Sequence, residues 1–211
     1  MKILYLESVD STQTYLKNLL KEKNTTLPLA VTSKVQTAGI GSRNNSWIGM
    51  AGNLFLSFAI DLSDLPKDLP IESSSIYFAY LLKETLSELN SQVWLKWPND
   101  FYIEKLKIGG MIINLVGTTL ICGVGINLVN SPKEFISLDI KISKEKLLQL
   151  FFLKIEQKTQ WKQIFSKYQL EFHKNKEFFS HNNNLKISLK DAILQNDGSI
   201  IIDGERIYSL R

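Results

Sequence analysis

The chain of 211 residues is 44% hydrophobic and 22% charged, with 11 glycines, 5 prolines, one cysteine and two histidines. This length corresponds to roughly one and a half average domains. The composition excludes collagenous, low-complexity and disordered chains, a disulfide framework, and a cysteine- or histidine-rich metal centre. The net charge of +4 is uneven: residues 141–190 hold eleven lysines against four glutamates, and the remainder is slightly acidic.

No apolar run approaches the roughly 20 residues of a membrane span, and the early-charged start at Lys2 does not read as a signal peptide. A cytoplasmic address away from membranes is therefore expected. In chain order, residues 3–6 read as a short strand. The run from Ser8 to Thr14 then opens a helix whose Tyr15, Leu16, Leu19 and Leu20 share one face. A polar Ser11-Thr12 pair thus stands at a helix start. Residues 29–35 read as a second strand, and residues 36–53, with four glycines, three asparagines and no aliphatic pattern, read as a long loop.

Residues 53–61 alternate Leu54, Leu56, Phe58 and Ile60 against Phe55, Ser57, Ala59 and Asp61, as a strand does. Pro66 and Pro70 punctuate the connection to a helix over 71–90, with Glu72 in its first turn. Strands follow over 93–97, 101–103, 110–116 and 120–128, joined by short turns and so antiparallel neighbours. From 143 to 179 the periodicity is helical again and too long for one globular helix, which places a break at 157–160. The segment 185–211 shows three apolar runs separated by Asn196-Asp197-Gly198 and Asp203-Gly204, both hairpin-turn sequences. The order predicts an α+β fold: a mixed, largely antiparallel sheet flanked by helices in residues 1–180, with a small β appendage in 181–211.

Three stretches carry chemistry. In the run from Gln36 to Trp47, the glycines of Gly39-Ile40-Gly41-Ser42-Arg43 let backbone N–H groups approach an anion and permit positive φ, and Arg43 adds a cation. The same run suits a plain surface loop, and it lacks the third glycine of a dinucleotide fingerprint. In Lys96-Trp97-Pro98-Asn99-Asp100, followed by Lys107-Ile108-Gly109-Gly110, an ammonium group stands beside bare backbone that a ligand can approach closely. A turn bent at Pro98 and a twisted strand explain that pattern equally well.

In Gly123-Val124-Gly125-Ile126-Asn127 a polar residue ends an apolar strand, which also reads as a glycine bulge with a polar cap. Cys122 has apolar neighbours and reads as a buried strand residue. The lysine-rich region raises nucleic-acid binding, but its charges alternate with Leu147, Leu150, Phe151, Trp161, Ile164, Phe165 and Tyr168 at helical spacing. That favours amphipathic helices with solvated lysines.

The elements Asp10-Ser11-Thr12-Gln13, Gln36 to Arg43 with Trp47, Lys96 to Asp100, Lys107 to Gly110 and Gly123 to Asn127, in this order over about residues 1–130, resemble those of the biotin protein ligases. The resemblance implies a class II synthetase-like catalytic fold. It implies an enzyme that joins the biotin carboxylate to ATP, forming biotinyl-5′-AMP and pyrophosphate, and then passes the biotinyl group to a lysine of a biotin carboxyl carrier protein, of acetyl-CoA carboxylase or a related carboxylase. By matching position, Lys107 is the catalytic cation beside the biotin carboxyl and phosphate oxygens, with Arg43 beside it. Biotin contacts are expected from Ser11, Thr12, Gln13, Gln36, Gly39, Ile40, Gly41, Ser42, Lys107 and Gly110. Nucleotide contacts are expected from Arg43, Trp47, Asn99 and Asn127, and Asp100 is expected to share in holding Mg2+ with ATP. For Ser11 the helix N-cap reading stands alongside.

The family's glycine loop usually reads Gly-Arg-Gly-Arg-Arg-Gly, whereas Ile40 and Ser42 stand here where arginines are customary. Phosphate closure is then expected to fall to Arg43, with Ser42 and backbone N–H groups. The chain begins at the catalytic strand, without the winged helix-turn-helix of bifunctional members, so a monofunctional ligase that binds no DNA is expected, and a homodimer is compatible with the resemblance. The C-terminal β segment resembles a reduced SH3-like domain. Lipoate-protein ligases and octanoyl transferases share the fold and are the alternative within it; a nucleic-acid-binding module is the alternative outside it.

Overall fold

In the computed structural model, which describes residues 1–22, 25–41, 45–182 and 185–209, the apolar runs assemble around one seven-stranded mixed sheet. In chain order the first strands are β1 (Lys2–Val9), β2 (Leu29–Gln36), the two-residue pair β3 (Gly39–Ile40) and β4 (Ser46–Trp47), and β5 (Leu54–Asp61). Next come β6 (Trp94–Lys96), β7 (Asp100–Ile103), β8 (Leu106–Val116) and β9 (Thr119–Ile126). The sheet order is β1-β2-β5-β9-β8-β7-β6. β1 and β2 are parallel, as a crossover through helix α1 (Thr12–Leu19) requires. Every other neighbouring pair is antiparallel.

β5 is buried from Leu54 to Ile60, so its alternation separates two apolar faces and not an apolar from a polar one. One face packs Ala59 with Leu16 of α1. On the other, the Phe58 ring meets Phe78 of α2 (Ser74–Ser87) at 5.2 Å and Phe151 of α3 (Lys144–Glu156) at 5.8 Å, both edge to face. Helix α3 starts where Ser143 Oγ accepts from Lys146 N at 3.2 Å, and α4 (Trp161–Glu171) follows after the expected break.

Of the apolar positions of α3 and α4 that the sequence pattern singled out, Leu147, Phe151, Trp161, Ile164, Phe165 and Tyr168 are buried and Leu150 is half-buried, while Leu153 and Leu170, outside that pattern, are exposed. Lys154 of α3 pairs with Glu84 and Glu88 at 3.1 and 2.6 Å, Lys167 of α4 pairs with Glu84, and Lys158 between the two helices pairs with Asp64 at 3.2 Å. Part of the basic charge of this region is thus neutralised by carboxylates of the same domain. Among the described residues no helix is long and apolar enough to cross a membrane.

The structure differs from the sequence pattern in three places. The loop 36–53 contains the β3–β4 pair. β8 begins at Leu106, so Lys107 and both glycines after it lie inside a strand. The helical pattern expected as far as residue 179 ends at a 3-10 stretch, Phe172–Glu177, because β10 (Phe179–Asn182) is drawn into antiparallel pairing with β11 (Leu185–Ser188).

The remaining strands, β12 (Ile193–Leu194), β13 (Ile200–Ile202) and β14 (Glu205–Ile207), turn at Asn196-Asp197-Gly198 and Asp203-Gly204 as expected. They share the main core, which takes in Leu189, Ala192, Ile200 and Ile207. The first of the two turns is pinned by three successive carbonyls. Trp161 Nε1 donates to Asn196 O at 2.9 Å, Ser73 Oγ donates to Asp197 O, and Trp97 Nε1 donates to Gly198 O at 2.9 Å. Three donors drawn from the core are thus satisfied at once.

Gly198 and Gly204 both have positive φ, +76° and +81°, but a Cβ on Gly198 would lie 2.8 Å from Ile76 Cδ1 and 3.0 Å from Ser73 Oγ, whereas Gly204 faces open space. Gly204→Ala is expected to cost about 1 kcal/mol of backbone strain. Gly198→Ala is expected to cost about 1–3 kcal/mol beyond that through overpacking. The midpoints of urea unfolding of the two variants, at unchanged m-value, check the difference.

Candidate active site

Ser11 Oγ accepts from Thr14 N at 3.4 Å, so it does cap α1, and it is also 2% exposed against the interior of the sheet. The cap fixes the next two side chains over β2, β5 and β9. Thr12 donates through both N and Oγ1 to Gln36 Oε1, at 2.8 and 2.9 Å. With its hydroxyl hydrogen given to Gln36, Thr12 Oγ1 accepts from Ser57 Oγ, 2.9 Å away. Gln13 Nε2 donates to Asn114 Oδ1 at 3.2 Å and to Ile121 O at 3.0 Å.

The glycines make room for these groups. A Cβ on Gly123 would lie 2.6 Å from Gln13 Oε1, one on Gly125 would lie 2.7 Å from Trp47 Cε2, and one on Gly39 would lie 2.5 Å from Trp47 O. The β8–β9 register is unbroken through Gly123 and Gly125, so the glycine bulge that the pattern allowed there is not formed. Gly39 and Gly41 are not among the glycines at positive φ, so Gly39 is needed for close approach and not for handedness. Gln13 Oε1, Trp47 Nε1 and Asn127 Nδ2 are buried without a hydrogen-bond partner, each an unmet cost of about 1–3 kcal/mol that a ligand or water can relieve.

Beside this polar wall lies a charged cluster built by three neighbouring strands. Asp100 is the register partner of Lys96 on β6 and of Gly110 on β8. Its Oδ1 takes an ion pair from Lys107 Nζ at 2.6 Å and its Oδ2 one from Lys96 Nζ at 3.3 Å. A Cβ on Gly110 would lie 3.0 Å from Asp100 Oδ1, so the bare backbone lets the carboxylate cross the strand to Lys107. The register between β7 and β8 slips at Phe101/Tyr102, which pair with Gly109 and Lys107 and leave Ile108 over. This bulge bends β8 next to Lys107 and aims its side chain. Burial alone would push the Asp100 carboxyl up, but the Lys107 and Lys96 ammonium groups outweigh it and hold the carboxyl below the usual carboxylate range.

The turn that carries Asp100 is fastened on both sides. Asn99 Nδ2 donates to Met111 O while Met111 N donates to Asn99 O at 2.9 Å. Trp97 N donates to Oδ1 of fully buried Asn175 at 2.7 Å, and Asn175 Nδ2 donates to Phe172 O at 3.1 Å. At the far end of β9, Asn53 Nδ2 donates to Asn127 Oδ1 at 3.2 Å and to Asn130 O at 2.7 Å.

These walls leave a narrow slot of about 60 Å³. It brings together Ser11, Thr12, Gln13, Gln36, Ile40, Gly41, Trp47, Asn99, Asp100, Lys107 and Gly110 of the residues singled out in the sequence. Gly39 supports Trp47 from behind, and Asn127 stands behind the slot, held by Asn53. Ser42 and Arg43 lie outside the described residues. At Ile40, Asn99, Asp100, Lys107 and Ile112 the slot opens into a cleft of about 850 Å³ that reaches β10 and β11.

Sequence reasoning missed Ser57, Asn53, Asn114 and Asn175, whose partners are far away along the chain and leave no local signal. It quoted Lys96 in a motif but gave it no role. Such a slot suits a small molecule with a neutral hydrogen-bonding head and an anionic tail. Burial pushes the Cys122 thiol well up, which removes it as a nucleophile.

The sequence profile of the biotin/lipoate A/B protein ligase family matches residues 5–128. The fold superposes with a TM-score of 0.94 on the biotin acetyl coenzyme A carboxylase synthetase of Helicobacter pylori with bound biotinylated ATP, at 42% identity over 98% of this chain and 99% of that one. It shares the fold of the biotin protein ligase of Aquifex aeolicus in complex with biotin and ATP, with a TM-score of 0.79 and 22% identity over 100% and 96% of the two chains. The bifunctional ligase/repressor BirA of Escherichia coli is 31% identical over 133 residues, 60% of this chain and 40% of that protein. Biotin–protein ligase 2 of Arabidopsis thaliana is 28% identical over 142 residues, 59% of this chain and 43% of that protein. The chain thus spans about 40% of the length of these curated relatives.

Because the Asp100 carboxyl is held below its unfolded value, its contribution to stability is full above the ordinary carboxylate range and is lost as pH falls through the depressed one. Urea unfolding between about pH 5 and pH 2 is expected to show a shallower loss of stability for Asp100→Asn than for the parent chain.

Proposed function

Because this chain belongs to the biotin/lipoate A/B protein ligase family, we propose that it activates biotin with ATP as biotinyl-5′-AMP and transfers the biotinyl group to a lysine of a biotin carboxyl carrier protein. The observation that carries this reading is the slot itself, with unpaired neutral polar groups along its wall and Lys107 at its mouth. Biotin has a matching shape, a ureido ring at one end and a carboxylate at the other. Gln13 Oε1 is an acceptor for a ureido N–H, and the Ser11 and Thr12 hydroxyls flank it. The dithiolane ring of lipoate offers no such groups and would leave this wall unsatisfied, which favours biotin within the family.

The chemical difficulty is to press a carboxylate against the negatively charged α-phosphate. Lys107 stands where the two meet and lowers their repulsion. A carboxylate oxygen attacks the α-phosphorus, the bond to the β-phosphate breaks, and pyrophosphate leaves. Lys107 then holds the mixed anhydride by its oxygens until the amine of the acceptor lysine attacks the acyl carbon and releases AMP. Lys96 keeps Asp100 from drawing Lys107 away from this position, since the carboxylate is shared between two ammonium groups.

Mg2+ would enter with ATP and screen its phosphates. One shared carboxylate and the lack of any three-ligand cluster among the described residues fit an ion held mainly by phosphates and water. Arg43 and Ser42 are assigned to phosphate closure on their sequence position, residues 181–211 to a reduced SH3-like segment, and the activity to the cytoplasm.

Incubation with an apo carrier protein, Mg-ATP and either biotin or lipoate, read by mass spectrometry, is expected to show biotinylation of one lysine; lipoylation alone would overturn the reading. Lys107→Ala is expected to lower the rate of adenylate formation by about 10²–10³-fold while biotin affinity, measured calorimetrically, moves far less. Arg43→Ala is expected to release biotinyl-5′-AMP faster than the parent chain, and unchanged retention and rate would remove Arg43 from the closure.

A further inference from the structure

A side-chain amide carries an acceptor at one end and donors at the other, and the two ends are nearly the same size, so the shape of a slot does not decide which end a ligand meets. The hydrogen bonds behind the amide decide it. Both hydrogens of Gln13 Nε2 are taken, by Asn114 Oδ1 at 3.2 Å and by Ile121 O at 3.0 Å. What remains is Oε1, buried without a partner over Gly123, where a Cβ would lie 2.6 Å away. Asn114 and Ile121 are register partners on β8 and β9, so one cross-strand pair supplies both acceptors. Ile121 O is main chain and held by the sheet, whereas Asn114 contributes through its side chain. Without Asn114, Nε2 is tied at one point only and the amide can swing its donors into the slot.

The second glutamine of the slot is locked in the opposite sense. Gln36 Oε1 accepts from Thr12 N and Thr12 Oγ1 at 2.8 and 2.9 Å, which leaves Nε2 as the end that can donate. The wall therefore offers one amide as acceptor and one as donor, and a ureido head, with N–H groups beside a carbonyl, answers both. A reversed Gln13 would set N–H against N–H and leave buried groups unpaired. We infer that Asn114 is a positioning residue for ligand recognition: acting through Gln13, it keeps Oε1 toward the slot and makes the slot select a head group that donates a hydrogen bond there. The inference rests on the ligase reading above and deepens it, by naming the residue that sets the polarity of the biotin site.

The test is a double-mutant cycle on biotin affinity, measured calorimetrically with the full chain. Asn114 is half-buried, so its side chain can be replaced without opening the core. Asn114→Leu is expected to raise the Kd for biotin about fivefold or more, as the loss of one orienting hydrogen bond requires. Asn114→Asp keeps an acceptor oxygen for Gln13 Nε2 and is expected to stay within about twofold of the parent chain. In a Gln13→Leu background, where no amide is left to orient, Asn114→Leu should move the Kd by less than about twofold. A side chain that merely supported the pairing of β8 with β9 would weaken binding equally in both backgrounds.

An unchanged Kd in Asn114→Leu overturns the inference while leaving the ligase reading standing. Equal rises in the two backgrounds, or a loss in Asn114→Asp as large as that in Asn114→Leu, overturn it likewise. Absence of biotin binding by the parent chain overturns the ligase reading, and the inference with it.

Discussion

A single carboxylate held between two ammonium groups sets the terms for this molecule. The proposed reaction brings a carboxylate to a phosphate, which needs concentrated positive charge, and concentrated positive charge repels itself. Lys96 and Lys107 come from strands that flank β7, and Asp100 on β7 joins them. Lys96 is only 7% exposed, a position an ammonium group holds only with such a partner. Gly110 is bare so that the carboxylate can cross the strand, and the bulge at Ile108 aims Lys107. Sheet order, one glycine and one register slip therefore serve the same ion cluster.

The cluster is only as fixed as the turn that carries it. Trp97 is tied by its backbone to Asn175 and by its indole to Gly198, two anchors from segments that follow the catalytic strands in the chain. Asn99 and Met111 close the turn on the other side. In the proposed reaction, preorganisation of this kind would let Lys107 act without rearranging. The polar wall of the slot is held as firmly, with Thr12 between Gln36 and Ser57 and Gln13 between Asn114 and Ile121.

The sheet, the helices and the late hairpins were legible because burial writes periodicity into the sequence, as in β5, α2 and the Asn196-Asp197-Gly198 turn. The motif residues were legible too, since the residues from Ser11 to Gly110 that resemblance singled out mostly meet in one slot. What escaped depends on residues far apart. No local pattern shows that Asn175 receives the Trp97 N–H, that Ser57 backs Thr12, or that a strand starts at Phe179. Gly110, Gly123 and Gly125 were readable as places of close approach, but not as places where Asp100, Gln13 and Trp47 already lie.

The hydrogen bond from Trp97 to Gly198 spans 101 residues of sequence. During synthesis at about 5–20 residues per second, that separation amounts to about 5–20 s in which the turn bearing Asn99 and Asp100 exists without its support. For the greater part of that interval, once Asn127 has been added, a nascent chain already carries every motif by which the family was recognised. Only after the hairpin around Gly198 has emerged can the turn gain this anchor, so its full support waits on nearly the last residues of the chain.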